Sequence, residues 1–256
     1  MLAAVLYHAG ANVLNDYFDY RNGSDNLNQT GLSPFTGGSR MIQNKIMTPG
    51  EAYIFGALLL ITGSIIGLYL AYESGIFLLL IGAMGLFSGY YYTAPPIFFA
   101  GRGLGELLVG LNFGVLSVAG SYYVQTQDIS FTAVFASLPL LFLIAAILYI
   151  NEFPDYDADK AVGKNHLVVY FGMERARWGF LFIVAGAYIS IIAGVILGLF
   201  PITALFVMPA AILGIKAVKG LFENYKKTVE LIPSMKATIL CHLATGLGFI
   251  VIFLIS

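Results

Sequence analysis

Asn15, Asp16 and Asp19 in NDYFDY, and Asp155 and Asp159 in DYDAD, are spaced so that a helix would stack them on one side. Asn15 and Asp19 are four residues apart, Asp16 precedes Asp19 by three, and Asp155 and Asp159 are again four apart, the spacings of helix-face neighbours. Carboxylates held this close repel one another unless a cation lies among them. Both clusters offer oxygen donors, with no Cys or His expected nearby, and this favours a hard ion such as Mg²⁺. Such an ion is commonly held by one or two carboxylates together with substrate phosphates. Arg21, Arg40, Lys45, Lys160 and Lys164 are interleaved with the acids, so a diphosphate would meet the acids through metal and the bases directly. A lone acidic cluster beside a membrane is ordinary solvated surface. Two matched clusters with bases between them point to a membrane enzyme that binds a phosphorylated lipid.

The elements that must carry these residues are apolar helices. Of 256 residues 59% are hydrophobic and 11% charged, and about 20 apolar residues suffice to cross a bilayer. Seven runs qualify, at about 52–72, 76–92, 104–124, 131–150, 178–199, 202–218 and 237–256, and a shorter one covers 1–14. The expected fold is therefore an all-α integral membrane bundle of about eight spanning helices, one domain over 1–256. Threaded alternately, the runs leave all 13 Lys and Arg residues on one side, which the positive-inside rule makes cytoplasmic. The loops on that side, 15–51, 93–103, 151–177 and 219–236, are long, and long loops tend to carry function. NDYFDY at 15–20 and NEFPDY at 151–156 open two of them at equivalent places, as facing halves of one cavity would. The single Cys241 excludes a disulfide framework, and the chain opens without a positively charged leader region.

These residues resemble the UbiA-type intramembrane prenyltransferases. Asn15 to Asp19 resembles the family's NDxxD element, and Asp155, Asp159, Gly163 and Lys164 its DxxxDxxxGK element. YYYTAPP at 90–96 and GRGLGEL at 101–107 resemble its middle loop. The resemblance implies helices around a central cavity open to the cytoplasm and Mg²⁺ held by Asp16, Asp19, Asp25, Asp155 and Asp159. It implies an isoprenyl diphosphate donor whose tail lies in an apolar, aromatic-lined cavity, and an electron-rich aromatic acceptor that takes the allylic cation. Asp19, Asp155 and Asp159 become the catalytic candidates, and Asn15, Arg40, Tyr92, Arg102, Asn151, Lys160 and Lys164 the substrate-binding ones. GGSRMIQ at 37–43 and NEFPDYDADKAVGK at 151–164 are most similar to the menaquinone-forming branch, whose acceptor is 1,4-dihydroxy-2-naphthoate. Membrane lipid surrounds such a protein; no nucleic acid or protein partner is expected.

The chain departs from the family pattern in three places. Gly23 stands where an acid is usual four residues after Asp19, which leaves Asp25 as the substitute. Ile97, Phe98 and Phe99 stand where the middle loop often carries a lysine, so Arg102 is the stand-in. The family has nine helices with the first motif after the second, so this chain reads as lacking one at its N-terminus. Among other residues, His8 is either an acceptor-site base or packing, His166 a phosphate contact, His242 structural, and Glu106 a helix cap or a site residue. Asp157 should face solvent, and the glycines of GAMGLFSG at 82–89 should serve close helix packing. Other acceptors, namely 4-hydroxybenzoate, a tetrapyrrole or an archaeal glycerol lipid, remain open, as does a cation transporter. The transporter is disfavoured because the acids cluster at one end instead of the bilayer midplane.

Overall fold

A computed structural model describes residues 1–28 and 35–255, and among them every regular element is helical. Helix α1 covers Leu2–Asn22 and is followed by the single turn α2, Ser24–Leu27. Next come α3 (Pro49–Ser74), α4 (Phe77–Tyr90), α5 (Gly105–Thr126) and α6 (Phe131–Ala161). The turn α7 (Leu167–Phe171) leads to α8 (Met173–Ile196), α9 (Ile202–Asn224) and α10 (Val229–Ile255). Six of these, α3, α5, α6, α8, α9 and α10, are long and apolar enough to cross a membrane. The run expected at 76–92 contributes only the 14-residue α4.

Local chemistry sets the boundaries. Thr48 caps α3 through a reciprocal capping box with Glu51, and Pro49 sits at the first helical position, where its missing N–H costs nothing. Ser130 caps α6 by accepting the Ala133 N–H. The two helices that carry the acidic motifs run past the apolar-to-polar transition, α1 to Asn22 and α6 to Ala161. Residues 15–22 and 151–161, assigned above to loops, are therefore helical: loss of hydrophobicity marks the membrane surface, not the helix end. Each extension finishes near a glycine with positive φ, Gly23 at +91° and Gly163 at +76°, a conformation that costs other residues energy.

Helix α6 lies at the centre, packed on α5, α8 and α10, while α1 packs on α3 and α4. The main core joins Leu143, Tyr149, Ile150 and Phe153 of α6 to Phe180 and Ile191 of α8 and to Leu221, Leu231 and Met235. Large apolar side chains nevertheless remain exposed, among them Ile54, Leu58, Ile61, Ile65 and Leu68 along α3. A contiguous apolar surface of that kind is matched to lipid, not to water. At the α1–α3 crossing, a Cβ on Gly56 would lie 2.8 Å from Leu14 Cγ, so glycine sets that close approach. The glycines of 82–89 do less than expected: a Cβ on Gly82 or Gly85 would meet nothing within 4 Å, because these positions of α4 face away from the neighbouring helices.

Candidate active site

The extended ends of α1 and α6 meet through Lys164. Its ammonium lies 2.9 Å from Asp19 Oδ2 and 3.6 Å from Asp159 Oδ2, so one side chain bridges both sequence motifs. Asp19 and Asp159 are each 5% exposed, and at that depth an unpaired carboxylate would be costly. The opposed charges hold the Lys164 ammonium well above the ordinary lysine range despite its burial. Lys164 is in position because Gly163 reverses the chain after α6 and the Lys164 N–H returns to the Asp159 carbonyl.

The first motif is braced within its own helix and by the following segment. Asn15 Nδ2 donates to Asp19 Oδ2 at 3.3 Å and Asn22 Nδ2 to Asp19 Oδ1 at 3.1 Å. The Ser39 hydroxyl and backbone N–H both donate to Asp16. Gly23, where the family usually has an acid, is the αL residue that ends α1. The reversal there folds Asp25 back against the motif, 5% exposed and hydrogen-bonded to Gln43 at 3.1 Å. Burial, then the charges of Asp19 and Asp16, push the Asp25 carboxyl up to about 7. Asp25, two residues after Gly23, thus lies in the same cluster as Asp16 and Asp19.

Gly38 forms the floor between Asp16 and Asp25. A Cβ there would fall 2.8 Å from Asp16 Oδ1 and 3.4 Å from Asp25 Oδ2, and its φ is +66°. Gly38→Ala is expected to combine strain with displacement of both carboxylates, about 1–2 kcal/mol or roughly tenfold in divalent-cation affinity. Calorimetric titration with Mg²⁺ checks this, and an unchanged affinity would remove Gly38 from the site.

The second motif is tied to the first segment. Asn28 Nδ2 donates to Asp155 Oδ1 at 2.7 Å, and Arg40 Nη1 donates to the Asn28 carbonyl at 2.7 Å. Arg40 therefore braces the turn through one of its five N–H donors. Tyr92 sits close enough to Lys164, Glu152 and Glu106 to feel their charges, and burial foremost holds its hydroxyl above the usual range. Asn151 Oδ1 is buried without a hydrogen-bond partner among the described residues. Two candidates lie further out: Lys160 is exposed and stacks over Tyr156 at 5.4 Å, and Arg102 is exposed with Nη2 on the Pro96 carbonyl at 3.0 Å. Asp157 is exposed, as expected.

Three expectations are corrected. The clusters are not free of imidazole, because the chain reversal at Gly163 brings His166 Nε2 to 3.4 Å from Asp159 Oδ2. His166 does not face a phosphate; it is 1% exposed, wedged between Asp159 and Glu152. Glu106 does not cap its own helix but accepts the Leu167 N–H at 2.8 Å, fixing the start of α7. Glu152, absent from the sequence reading, is buried beside both. Its signal was its place in NEFPDY, where it stands as Asp16 does in NDYFDY. His8 packs edge-on against Phe113 at 4.8 Å and pairs with Asn12, which favours the packing role.

Among the described residues, Asp16, Asp19, Asp25, Asp155 and Asp159 outnumber the single ammonium ion-paired with them. Among the described residues, no three of these aspartates bring oxygens within 4.8 Å of one another. The set fits small hard cations held by one or two carboxylates each, with coordination positions left for phosphate oxygens. Because Asp25 is neutral below about pH 7, Mg²⁺ affinity is expected to rise with pH up to that point and level off above it. Binding below it should release a proton. Titrations in buffers of different ionisation enthalpy test this, and Asp25→Asn should flatten the profile.

The profile of the UbiA prenyltransferase family matches residues 1–232. A 1,4-dihydroxy-2-naphthoate octaprenyltransferase of Bacillus subtilis (strain 168) is 30% identical over 89% of this chain and 71% of its own length. The Haemophilus influenzae protein of the same name is 30% identical over 69% of this chain and 58% of its length. A 2-carboxy-1,4-naphthoquinone phytyltransferase of Synechocystis is 27% identical over 77% and 61%. The chain thus spans between about three fifths and seven tenths of these relatives. Among solved structures, a digeranylgeranylglyceryl phosphate synthase superposes with a TM-score of 0.66 at 24% identity, over 98% of this chain and 83% of that one; the likeness is one of fold.

Proposed function

The chain belongs to the UbiA prenyltransferase family, and from that premise we propose that it transfers an isoprenyl group from a polyprenyl diphosphate to 1,4-dihydroxy-2-naphthoate. The observation that carries this reading is the Lys164 bridge, which brings Asp19 and Asp159 from the two motifs to one ammonium, at 2.9 and 3.6 Å. A diphosphate is the ligand that would need this combination, since its two phosphates can take metal-bearing carboxylates on both sides and a cation between them. The naphthoate acceptor is favoured by the names of the relatives above and by the GGSRMIQ and NEFPDYDADKAVGK segments.

Mg²⁺ bound at Asp16, Asp19 and Asp25 and at Asp155 and Asp159 would supply Lewis-acid stabilisation of the charge that develops on the leaving diphosphate. The protein's own groups do the rest. Lys164 neutralises the oxygens between the motifs, and Asn15 and Asn22 keep Asp19 from rotating away. Arg40 secures the turn that positions Asn28 and Asp155. Departure of diphosphate leaves an allylic cation on the donor; a carbon of the acceptor's electron-rich ring forms the new carbon–carbon bond and regains aromaticity by giving up the substituent it carried, a proton or, at the carboxylate-bearing carbon, CO2. Tyr17, Phe18 and Tyr90 pack edge to face at the first motif, with the Tyr17–Phe18 and Phe18–Tyr90 centroids 5.0 and 6.1 Å apart, and aromatic ring faces suit a cation sheltered from water. With all 13 basic residues on the motif side of alternately threaded helices, the site would open to the cytoplasm.

The test is product analysis. Purified protein given geranylgeranyl diphosphate and Mg²⁺ should prenylate 1,4-dihydroxy-2-naphthoate in preference to 4-hydroxybenzoate, read by mass spectrometry. Preference for 4-hydroxybenzoate would overturn the acceptor assignment and leave the donor site in place.

A further inference from the structure

Behind Asp159 a second group of ionisable side chains is sealed inside the protein. Glu106 at the start of α5, Glu152 in α6 and His166 before α7 are 2%, 7% and 1% exposed. One ligand atom from each lies within 4.8 Å of the other two. Glu106 Oε1 is used by the Leu167 N–H, but among the described residues Glu106 Oε2, Glu152 Oε2 and His166 Nε2 make no hydrogen bond of good geometry. The contacts between them are loose: His166 Nδ1 is 3.3 Å from Glu152 Oε2 and 3.4 Å from the Val169 nitrogen, and His166 Nε2 is 3.4 Å from Asp159 Oδ2.

Charge is also unbalanced. Among the described residues, Lys164 and His166 are the basic groups ion-paired with the carboxyls of Glu152, Asp159 and Asp19, with Glu106 beside Glu152, so even a protonated imidazole leaves acids in excess. Two buried carboxyls in contact require a cation or a proton between them, and orphaned buried polar atoms are rare enough to need a reason. We infer that Glu106, Glu152 and His166 form a separate divalent-cation site behind the diphosphate site. Small side-chain adjustments would bring all three donors to the roughly 2.0–2.2 Å that such an ion requires. The imidazole nitrogen shifts the preference from Mg²⁺ toward Zn²⁺, Mn²⁺ or Co²⁺. An ion there would offset the excess acid and tie together α5, α6 and the Gly163–Leu167 turn that presents Lys164.

Co²⁺ is the direct probe, because its visible absorption is strong when it is low-coordinate and bound to nitrogen. Chelator-treated full chain in detergent, with excess Mg²⁺ to fill the aspartate motifs, is titrated with Co²⁺. The expected result is one tight site per chain, kept in an Asp16→Asn, Asp155→Asn double variant and weakened at least tenfold by Glu152→Gln and by His166→Ala. A wild-type protein with no such site would overturn the inference and leave a proton between the two glutamates. Loss in the aspartate variant with retention in Glu152→Gln would overturn it as well, by placing the ion on the acidic motifs. The wild-type titration decides independently of how any variant folds.

Discussion

Asp19→Asn is expected to lower turnover by about 10²–10³-fold with little change in thermal stability. The substitution removes one negative charge but keeps the shape: with its one oxygen at the Oδ2 position it still accepts from Asn15 and Lys164, while Asn22, which donates to Oδ1 at 3.1 Å, is exposed and turns to water. Lys164 retains Asp159 at 3.6 Å, so no buried cation is stranded. The loss should therefore fall on kcat, where charge on the departing diphosphate needs stabilisation, more than on folding. A fall of less than about tenfold would show that Asp19 is not a direct metal ligand.

Lys164→Met should have the largest effect on stability. In the absence of divalent cations it leaves Asp19 and Asp159, each 5% exposed, facing one another with no charge between them. Breaking a buried pair in this way costs about 3–5 kcal/mol. Because the ammonium is held above the ordinary lysine range, its stabilising contribution is fully present through neutral pH and is lost only as pH rises past that elevated value. Mg²⁺ should restore much of the stability, since an ion bound to the folded state alone stabilises by mass action. Lys164→Arg, which keeps the charge, should melt near the wild type. The check is thermal unfolding in detergent with Mg²⁺ or EDTA; a Met variant as stable as the wild type in EDTA would mean that the bridge contributes nothing.

The motifs were legible in the sequence because their information is local. The four-residue spacing of Asn15 and Asp19, and of Asp155 and Asp159, is a helix-face pattern, and the helices extend far enough to realise it. Lys164 could be placed near the second motif by proximity, but its contact with Asp19, 145 residues away, depends on how α1 and α6 are set against each other. Asp25 could be suspected but not placed, because its position follows from the left-handed turn at Gly23. What was missed is non-local. Glu152 and His166 meet only because the chain reverses at Gly163, and Ser39 and Gly38 reach Asp16 from the segment ahead of α3. Arg102, expected at the site from its loop alone, is exposed with Nη2 on the Pro96 carbonyl at 3.0 Å, a placement that its spacing in the sequence does not determine.

On the proposed reading, the two aspartate motifs clasp one diphosphate between them. The most direct measurement is Mg²⁺-dependent binding of geranylgeranyl diphosphate to the wild type, Asp16→Asn, Asp155→Asn and the double variant. If one ligand spans both motifs, each single substitution should weaken binding at least about tenfold, and the double variant should bind little worse than the weaker single one, a strongly non-additive cycle. Binding that is insensitive to both substitutions, or losses that simply multiply, would contradict a shared diphosphate site.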